Sequence, residues 1–93
     1  MIKSFGNSAA QAAWERRFVK GIPNDIMKVA NRKLVQINSA IQLSDLRAPP
    51  GNRLEKLSGD RAGQHSIRVN DQWRICFRWT DAGPEDVEIV DYH

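Results

Sequence analysis

Three side chains that can move protons or stack on a base stand together at the end of the chain, Asp91, Tyr92 and His93. An imidazole with an ordinary pKa of about 6.5 serves as acid or base. A phenol can stack on a nucleobase, and a carboxylate can orient an imidazole. The planar guanidinium of Arg74 is suited to binding a phosphate. Together these groups are what metal-free cleavage of an RNA phosphodiester needs; the alternative is that the last residues form only a frayed chain end.

Basic residues are unevenly distributed along the chain. Residues 47–79 hold seven Lys and Arg against three Asp and Glu, whereas residues 80–93 hold none against five. Six of the seven are arginines interspersed with aromatic residues, a pattern that is typical of nucleic-acid binding, although charge alone favours the alternative of a solvated surface on a mildly basic protein. Candidate RNA-binding side chains are therefore Arg53, Lys56, Arg61, His65, Arg68 and Arg78. For Arg61, a bracing ion pair with Asp60 in its turn is equally compatible with the sequence.

Several function classes are excluded by what the sequence lacks. Ninety-three residues predict one domain, residues 1–93, with a small core. The single cysteine, Cys76, cannot form an internal disulfide or complete a zinc site, and is expected to be a small buried filler. There is no GxxxxGK loop, no HExxH motif and no apolar run near the length of about 20 residues that spans a bilayer, and residues 1–4 lead us to expect no signal peptide. We expect a cytoplasmic protein with no metal, no cofactor and no membrane association.

Hydrophobic periodicity predicts the elements that position these residues. Alternation at residues 2–5 predicts a strand, and near-helical spacing predicts one helix over residues 8–20 and a second from residue 23 to about residue 41. Alternating segments separated by turn residues then predict four more strands, at residues 54–57, 65–69, 73–79 and 87–91. The order β-α-α-β-β-β-β indicates an α+β fold with two N-terminal helices packed on one face of a mostly antiparallel sheet.

The strand at residues 73–79 separates apolar from polar side chains. Its odd-numbered residues are all large and apolar and should pack under the helices: Trp73, Ile75, Phe77 and Trp79. Arg74, Cys76 and Arg78 then lie on the opposite side of the sheet, termed here the open face, together with Arg53 and Arg68 from neighbouring strands. Glu55 and Lys56 occupy adjacent strand positions, so only one of them can reach that face unless the strand is bulged.

Residues 1–5 (MIKSF), 54–63 (LEKLSGDRAG), 66–77 (SIRVNDQWRICF) and 91–93 (DYH) together resemble the HigB-type toxins of bacterial type II toxin–antitoxin systems, within the RelE superfamily. The resemblance covers the whole chain. It implies a RelE-like microbial ribonuclease fold and an endoribonuclease that inhibits translation by metal-independent cleavage of mRNA in the ribosomal A site. It also implies as partners the 70S ribosome, mRNA and a HigA-like helix-turn-helix antitoxin, with operator DNA bound only through the antitoxin complex.

The resemblance makes Arg74 a phosphate-binding residue and puts Asp91, Tyr92 and His93 at the catalytic end of the last strand. Some HigB-type toxins carry a histidine and a lysine where this sequence has Glu55 and Ser58. Glu55 is therefore either the general base, with the charge of Lys56 nearby, or a sign that catalysis is weaker and rests on His93. Strict alternation separates Tyr92 from His93, so both reach one site only if the tail twists.

Two other functions remain compatible with the same sequence. One is a catalytically weak module of this fold that acts by binding the ribosome, or the antitoxin and operator. The other is a regulatory subunit of an operator-binding complex, which would need neither Arg74 nor His93.

Overall fold

A computed structural model, which describes residues 1–92, packs two helices on one face of a four-stranded sheet. The helices are α1 (Ser8–Trp14) and α2 (Asn24–Ser39), and the strands are β1 (Glu55–Lys56), β2 (His65–Arg68), β3 (Trp73–Thr80) and β4 (Gly83–Asp91). Short 3-10 turns occupy Leu43–Arg47, Pro50–Asn52 and Gly59–Arg61. All strand pairs are antiparallel in the order β1-β2-β3-β4, which confirms the predicted α+β class.

The N-terminal segment forms less of a strand than predicted. Phe5 makes a single parallel bridge to Val87, flanked by a 2.8 Å hydrogen bond from the Gly6 amide to the Val87 carbonyl. The chain then leaves the sheet because Asn7 caps α1, its Oδ1 accepting from the Ala10 amide at 3.0 Å. The segment therefore borders β4 without adding a full strand.

Helix α1 ends at Trp14, well before the predicted end at Lys20. Arg16 has a φ of 61°, in the left-handed region, and its amide turns back to the Ala13 carbonyl at 3.1 Å. The next amide, of Arg17, bonds the Ala12 carbonyl at 2.8 Å. These two bonds form a Schellman motif, which closes the helix although no glycine marks the position in the sequence.

Helix α2 ends at Ser39 rather than near Ile41 because the next turn captures the chain. The Asp45 carboxylate accepts hydrogen bonds from the Ile41 and Gln42 amides at 2.9 and 3.1 Å. These bonds hold the pKa of the Asp45 carboxyl below its ordinary value, and the bond from the Gln42 amide has the larger effect, followed by that from Ile41. They also start the 3-10 turn Leu43–Arg47.

A buried asparagine holds the segment between the helices and the sheet. Asn52 is fully buried, and its Nδ2 donates to Gln36 Oε1 at 3.1 Å and to the Leu46 and Ala48 carbonyls at 3.2 Å. Its Oδ1 accepts from Lys33 Nζ at 2.5 Å. Lys33, the one polar break in the apolar stripe of α2, therefore anchors the segment that leads into β1.

The core lies between α1, α2 and the sheet. Ile75 and Phe77 are fully buried in it, and Trp73 and Trp79 are partly buried at its margin, which confirms the face predicted for β3. Other fully buried members include Ala10, Ala30, Leu34, Ile37, Ile67 and Val87. Within residues 1–92, neither helix is both long and apolar enough to cross a membrane.

Candidate functional site

Arg74 lies at the centre of the open face, but it is not the exposed arginine that the alternation of β3 predicts. Only 7% of the residue is exposed. Its Nε donates to Ser66 Oγ at 2.8 Å, and its Nη2 donates to the Arg53 carbonyl at 2.7 Å and to the Ser66 carbonyl at 3.3 Å. The remaining nitrogen, Nη1, lies 3.9 Å from Glu55 Oε1. The guanidinium is therefore fixed by Ser66 of β2 and by Arg53, which lies two residues before β1.

The backbone of Arg53 explains how its carbonyl reaches the guanidinium. Arg53 ends the Pro50–Asn52 turn with φ 45° and ψ 58°, in the left-handed region. Its amide bonds the Pro50 carbonyl at 3.1 Å, and Asn52, just before it, is held by four side-chain hydrogen bonds. An uncommon conformation for a residue with a side chain persists here because the surrounding contacts enforce it.

Glu55 and Tyr92 complete the surroundings of Arg74. Glu55 pairs with Ser66 in the β1–β2 register, on the open face, and about half of its side chain is exposed (51%). The Tyr92 ring centroid lies 5.8 Å from Arg74 Cζ, and the Tyr92 amide bonds the Gln72 carbonyl at 2.7 Å. The site thus places both a carboxylate and an aromatic ring next to the guanidinium.

The remaining C-terminal residues are placed differently. Asp91 pairs with Trp73, and its Oδ2 accepts from Gln72 Nε2 at 3.0 Å. This register puts Asp91 on the side of the sheet opposite Tyr92. His93 lies outside the described residues, so the predicted twist that would bring it beside Tyr92 stays a prediction.

The other arginines of the open face are paired with acidic side chains. Arg61 donates to Gln64 Oε1 at 3.0 Å and lies 3.6 Å from Glu88, rather than bracing its turn through Asp60. Arg78 Nε lies 3.9 Å from Asp86 Oδ2. Arg68, which pairs with Arg74 in the register, forms a short ion pair with Asp71. Carboxylates from the acidic C-terminal segment therefore offset part of the positive charge on this face.

Three of the predicted RNA-binding residues border a different surface. Lys56 pairs with His65, which pairs with the core residue Phe77, so both side chains lie on the face away from Arg74. Together with Arg53 they line a cavity beside the Leu43–Arg47 turn. Lys56 does not place its charge beside Glu55 on the open face. Burial, and next the charge of Lys56, lower the pKa of His65 below its ordinary value.

Two fully buried residues lie close to Arg74 in the sheet, and the sequence predicted the role of only one of them. Cys76 is fully buried, and burial is the main cause that raises the pKa of its thiol, consistent with the predicted filler role. Ser66 was not identified as a site residue, although its even position on β2 shares a face with Arg74. Among residues 1–92, no three His, Cys, Asp or Glu side chains are arranged to hold a metal ion.

Comparisons with known proteins find a matching family and two similar relatives. A family model described as "RelE-like toxin of type II toxin-antitoxin system HigB" matches residues 4–93. Toxin HigB-1 of Vibrio cholerae serotype O1 is 50% identical over 60 residues, which are 64% of this chain and 63% of that toxin, so the match spans less than two thirds of the relative. Endoribonuclease HigB of Proteus vulgaris is 31% identical over 93 residues, 100% of both proteins.

A solved structure shares the fold at low sequence identity. The YoeB-YefM complex from Staphylococcus aureus contains a chain that superposes with a TM-score of 0.62 at 18% identity, covering 100% of this chain and 98% of that one. At that identity the likeness shows the fold alone.

Proposed function

Because the chain belongs to the HigB-like family of type II toxin–antitoxin toxins, we propose that it is an endoribonuclease that inhibits translation by cleaving mRNA in the ribosomal A site. The full-length match to a protein named an endoribonuclease supports the activity. The resemblance of the site segments to HigB-type toxins supports the ribosomal setting. An antitoxin is the expected partner of any member of this family.

The single observation that carries the proposal is the immobilised guanidinium of Arg74. Nε and Nη2 are engaged by Ser66 and Arg53, which leaves Nη1 to face a phosphate approaching from the open face. A cation whose orientation is already fixed stabilises the extra negative charge of a phosphorane-like transition state without having to reorganise. The Tyr92 ring beside it offers a stacking surface for a base.

The reaction we propose is an attack by the ribose 2′-oxygen on the adjacent phosphorus, which breaks the bond to the 5′-oxygen. Glu55 accepts the 2′-hydroxyl proton as general base, and His93 donates a proton to the departing 5′-oxygen. The products are a 2′,3′-cyclic phosphate and a 5′-hydroxyl end. Asp91 orients this end of the chain, and Arg61, Arg68 and Arg78 bind flanking phosphates of the RNA.

Partners follow from the same proposal. The chain acts in the cytoplasm on the 70S ribosome, and a helix-turn-helix antitoxin neutralises it and brings it to operator DNA. Excess positive charge in residues 47–79 supports fast, salt-sensitive association with RNA.

One observation favours a second candidate, a weakly catalytic module that acts by binding. Glu55 Oε1 lies 3.9 Å from Arg74 Nη1, so a carboxylate partly neutralises the cation that is meant to bind phosphate. In a binding module this pair would serve mainly to shape the open face.

Purified chain added to ribosomes programmed with a defined mRNA tests the proposal. We expect cleavage that leaves 5′-hydroxyl ends and that stops when the nucleotide 5′ to the cut carries a 2′-deoxyribose. Cleavage that persists on the deoxy substrate would exclude the 2′-oxygen mechanism. Equal rates on free and ribosome-bound mRNA would contradict ribosome dependence, and binding without cleavage would favour the second candidate.

A further inference from the structure

A second polar surface lies on the other side of β1 from Arg74. It is a cavity of about 590 Å³ between the segment that follows α2 and the first two strands. We call it the basic cavity, and its lining residues are Leu43, Ser44, Arg47, Pro50, Arg53, Leu54, Lys56 and His65.

The lining of the basic cavity is strongly one-sided in charge. Arg47, Arg53 and Lys56 are permanent cations, and none of the lining residues is a carboxylate. His65 adds a ring whose buried Nδ1 has no hydrogen-bond partner among residues 1–92. On the open face, by contrast, Arg61, Arg68 and Arg78 are each paired with an acidic side chain. The basic cavity thus brings together three cations, Arg47, Arg53 and Lys56, that have no carboxylate partner among residues 1–92.

We propose that the basic cavity is a second phosphate-binding site, which holds a backbone phosphate of the RNA near the one that is cut. The ligand class is a phosphodiester anion. Arg47 from the Leu43–Arg47 turn and Lys56 from β1 bind it, together with Arg53 and His65. Its assignment to RNA rests on the proposed function, whereas its capacity to bind an anion does not.

Continuity with the cleavage site favours RNA over an acidic protein segment. Arg53 lines the basic cavity, and its carbonyl accepts a hydrogen bond from Arg74 Nη2 at 2.7 Å. Glu55 and Lys56 are neighbours in the chain, and they serve the open face and the basic cavity respectively. Because β1 is a two-residue edge strand, an RNA strand leaving Arg74 needs only to pass over this edge to reach the cavity.

A titration with inorganic phosphate tests the anion site alone. The His65 ring proton resonance, assigned through the His65→Asn variant, should shift on addition of phosphate and saturate. Lys56→Gln should weaken phosphate binding about tenfold, as loss of one charge-assisted contact predicts. The matched control is Lys20→Gln, since Lys20 is an exposed lysine on the α1–α2 connection and should bind phosphate like the wild type. An absent shift, or equal weakening by both variants, would overturn the site.

Two further binding measurements identify the source of the phosphate. One uses an mRNA oligonucleotide that cannot be cleaved because it carries a 2′-deoxyribose at the cut (deoxy-blocked), and the other uses ribosomes. If Arg47→Gln weakens oligonucleotide binding, raises KM and spares kcat, the cavity holds the mRNA. If only ribosome binding weakens, it holds ribosomal RNA. Weakened antitoxin binding with unchanged RNA binding would overturn the RNA assignment. A wild type that never cleaves, but whose phosphate titration depends on Lys56, would refute the proposed function and leave the anion site standing.

Discussion

Replacing Arg74 by alanine should damage both the fold and the chemistry, because the residue is a buried hydrogen-bond centre. Its side chain is 8% exposed and donates three hydrogen bonds, two to Ser66 and one to the Arg53 carbonyl. Truncation leaves the fully buried Ser66 hydroxyl without this partner and frees the Arg53 carbonyl. This differs from the expectation for an exposed arginine on an open face, whose loss would leave stability unchanged.

The size of the effect follows from those contacts. An unsatisfied buried polar group costs about 1–3 kcal/mol, and removing a desolvated charge recovers part of that cost, so we expect a net loss of about 2 kcal/mol. With a urea dependence of about 1–1.5 kcal/mol per molar for a domain of this size, the unfolding midpoint should fall by about 1–2 M. Cleavage should fall about 10²–10³-fold through loss of the transition-state cation.

Urea unfolding followed by the fluorescence of the three tryptophans measures the first effect. Arg78→Ala is the matched control, because Arg78 is also an open-face arginine of β3 but 44% of its side chain is exposed and its carboxylate partner is 3.9 Å away. Its free energy of unfolding should change by less than about 0.5 kcal/mol, so its midpoint should stay close to that of the wild type. Equal midpoints for the two variants would refute the anchoring of Arg74 described above.

Phe77→Ala should lower the free energy of unfolding in urea by about 3–5 kcal/mol, because Phe77 is fully buried. Trp79→Ala should lower it less, because Trp79 is only partly buried. The reverse order would mean that the core is misassigned. Tyr92→Phe should keep the RNA affinity of the wild type, whereas Tyr92→Ala should lose about 1–3 kcal/mol of binding free energy from base stacking. Fluorescence anisotropy with the deoxy-blocked mRNA oligonucleotide measures both affinities. Equal losses in the two variants would exclude stacking. Burial and Lys56 lower the folded-state pKa of His65, so the unfolded chain binds the proton more readily. Stability relative to His65→Asn should therefore fall as the pH drops from about 7.5 through the ordinary histidine pKa of about 6.5. A constant difference between pH 7.5 and 5.5 would contradict the depressed pKa.

Local patterns predicted the elements well wherever one face of an element is buried. The alternation of β3 correctly assigned Ile75 and Phe77 to the core, since the two-residue period leaves no other register. The same period also places His65 with Ile67 and away from Arg74, an implication that the grouping by charge overlooked. The charge of a side chain predicts whether it can bind an anion, and the alternation of the strand predicts on which face of the sheet it lies.

Features that depend on distant segments could not be predicted from the sequence. The burial of Arg74 depends on a carbonyl 21 residues away in the chain, aimed by the left-handed backbone of Arg53 and the hydrogen bonds of Asn52. The early end of α1 depends on a left-handed Arg16, a conformation that side chains disfavour and that no turn signal announced. In both cases tertiary contacts override local preference.

Mapping of new mRNA 5′ ends in bacteria that express the chain without its antitoxin tests the central claim most directly. Wild type should stop growth and produce codon-phased cuts, whereas Arg74→Lys, which keeps the charge but loses the planar fork, should accumulate as folded protein and produce few cuts or none. Codon-phased cuts of equal strength from folded Arg74→Lys, or growth arrest by wild type without any new ends, would contradict the claim.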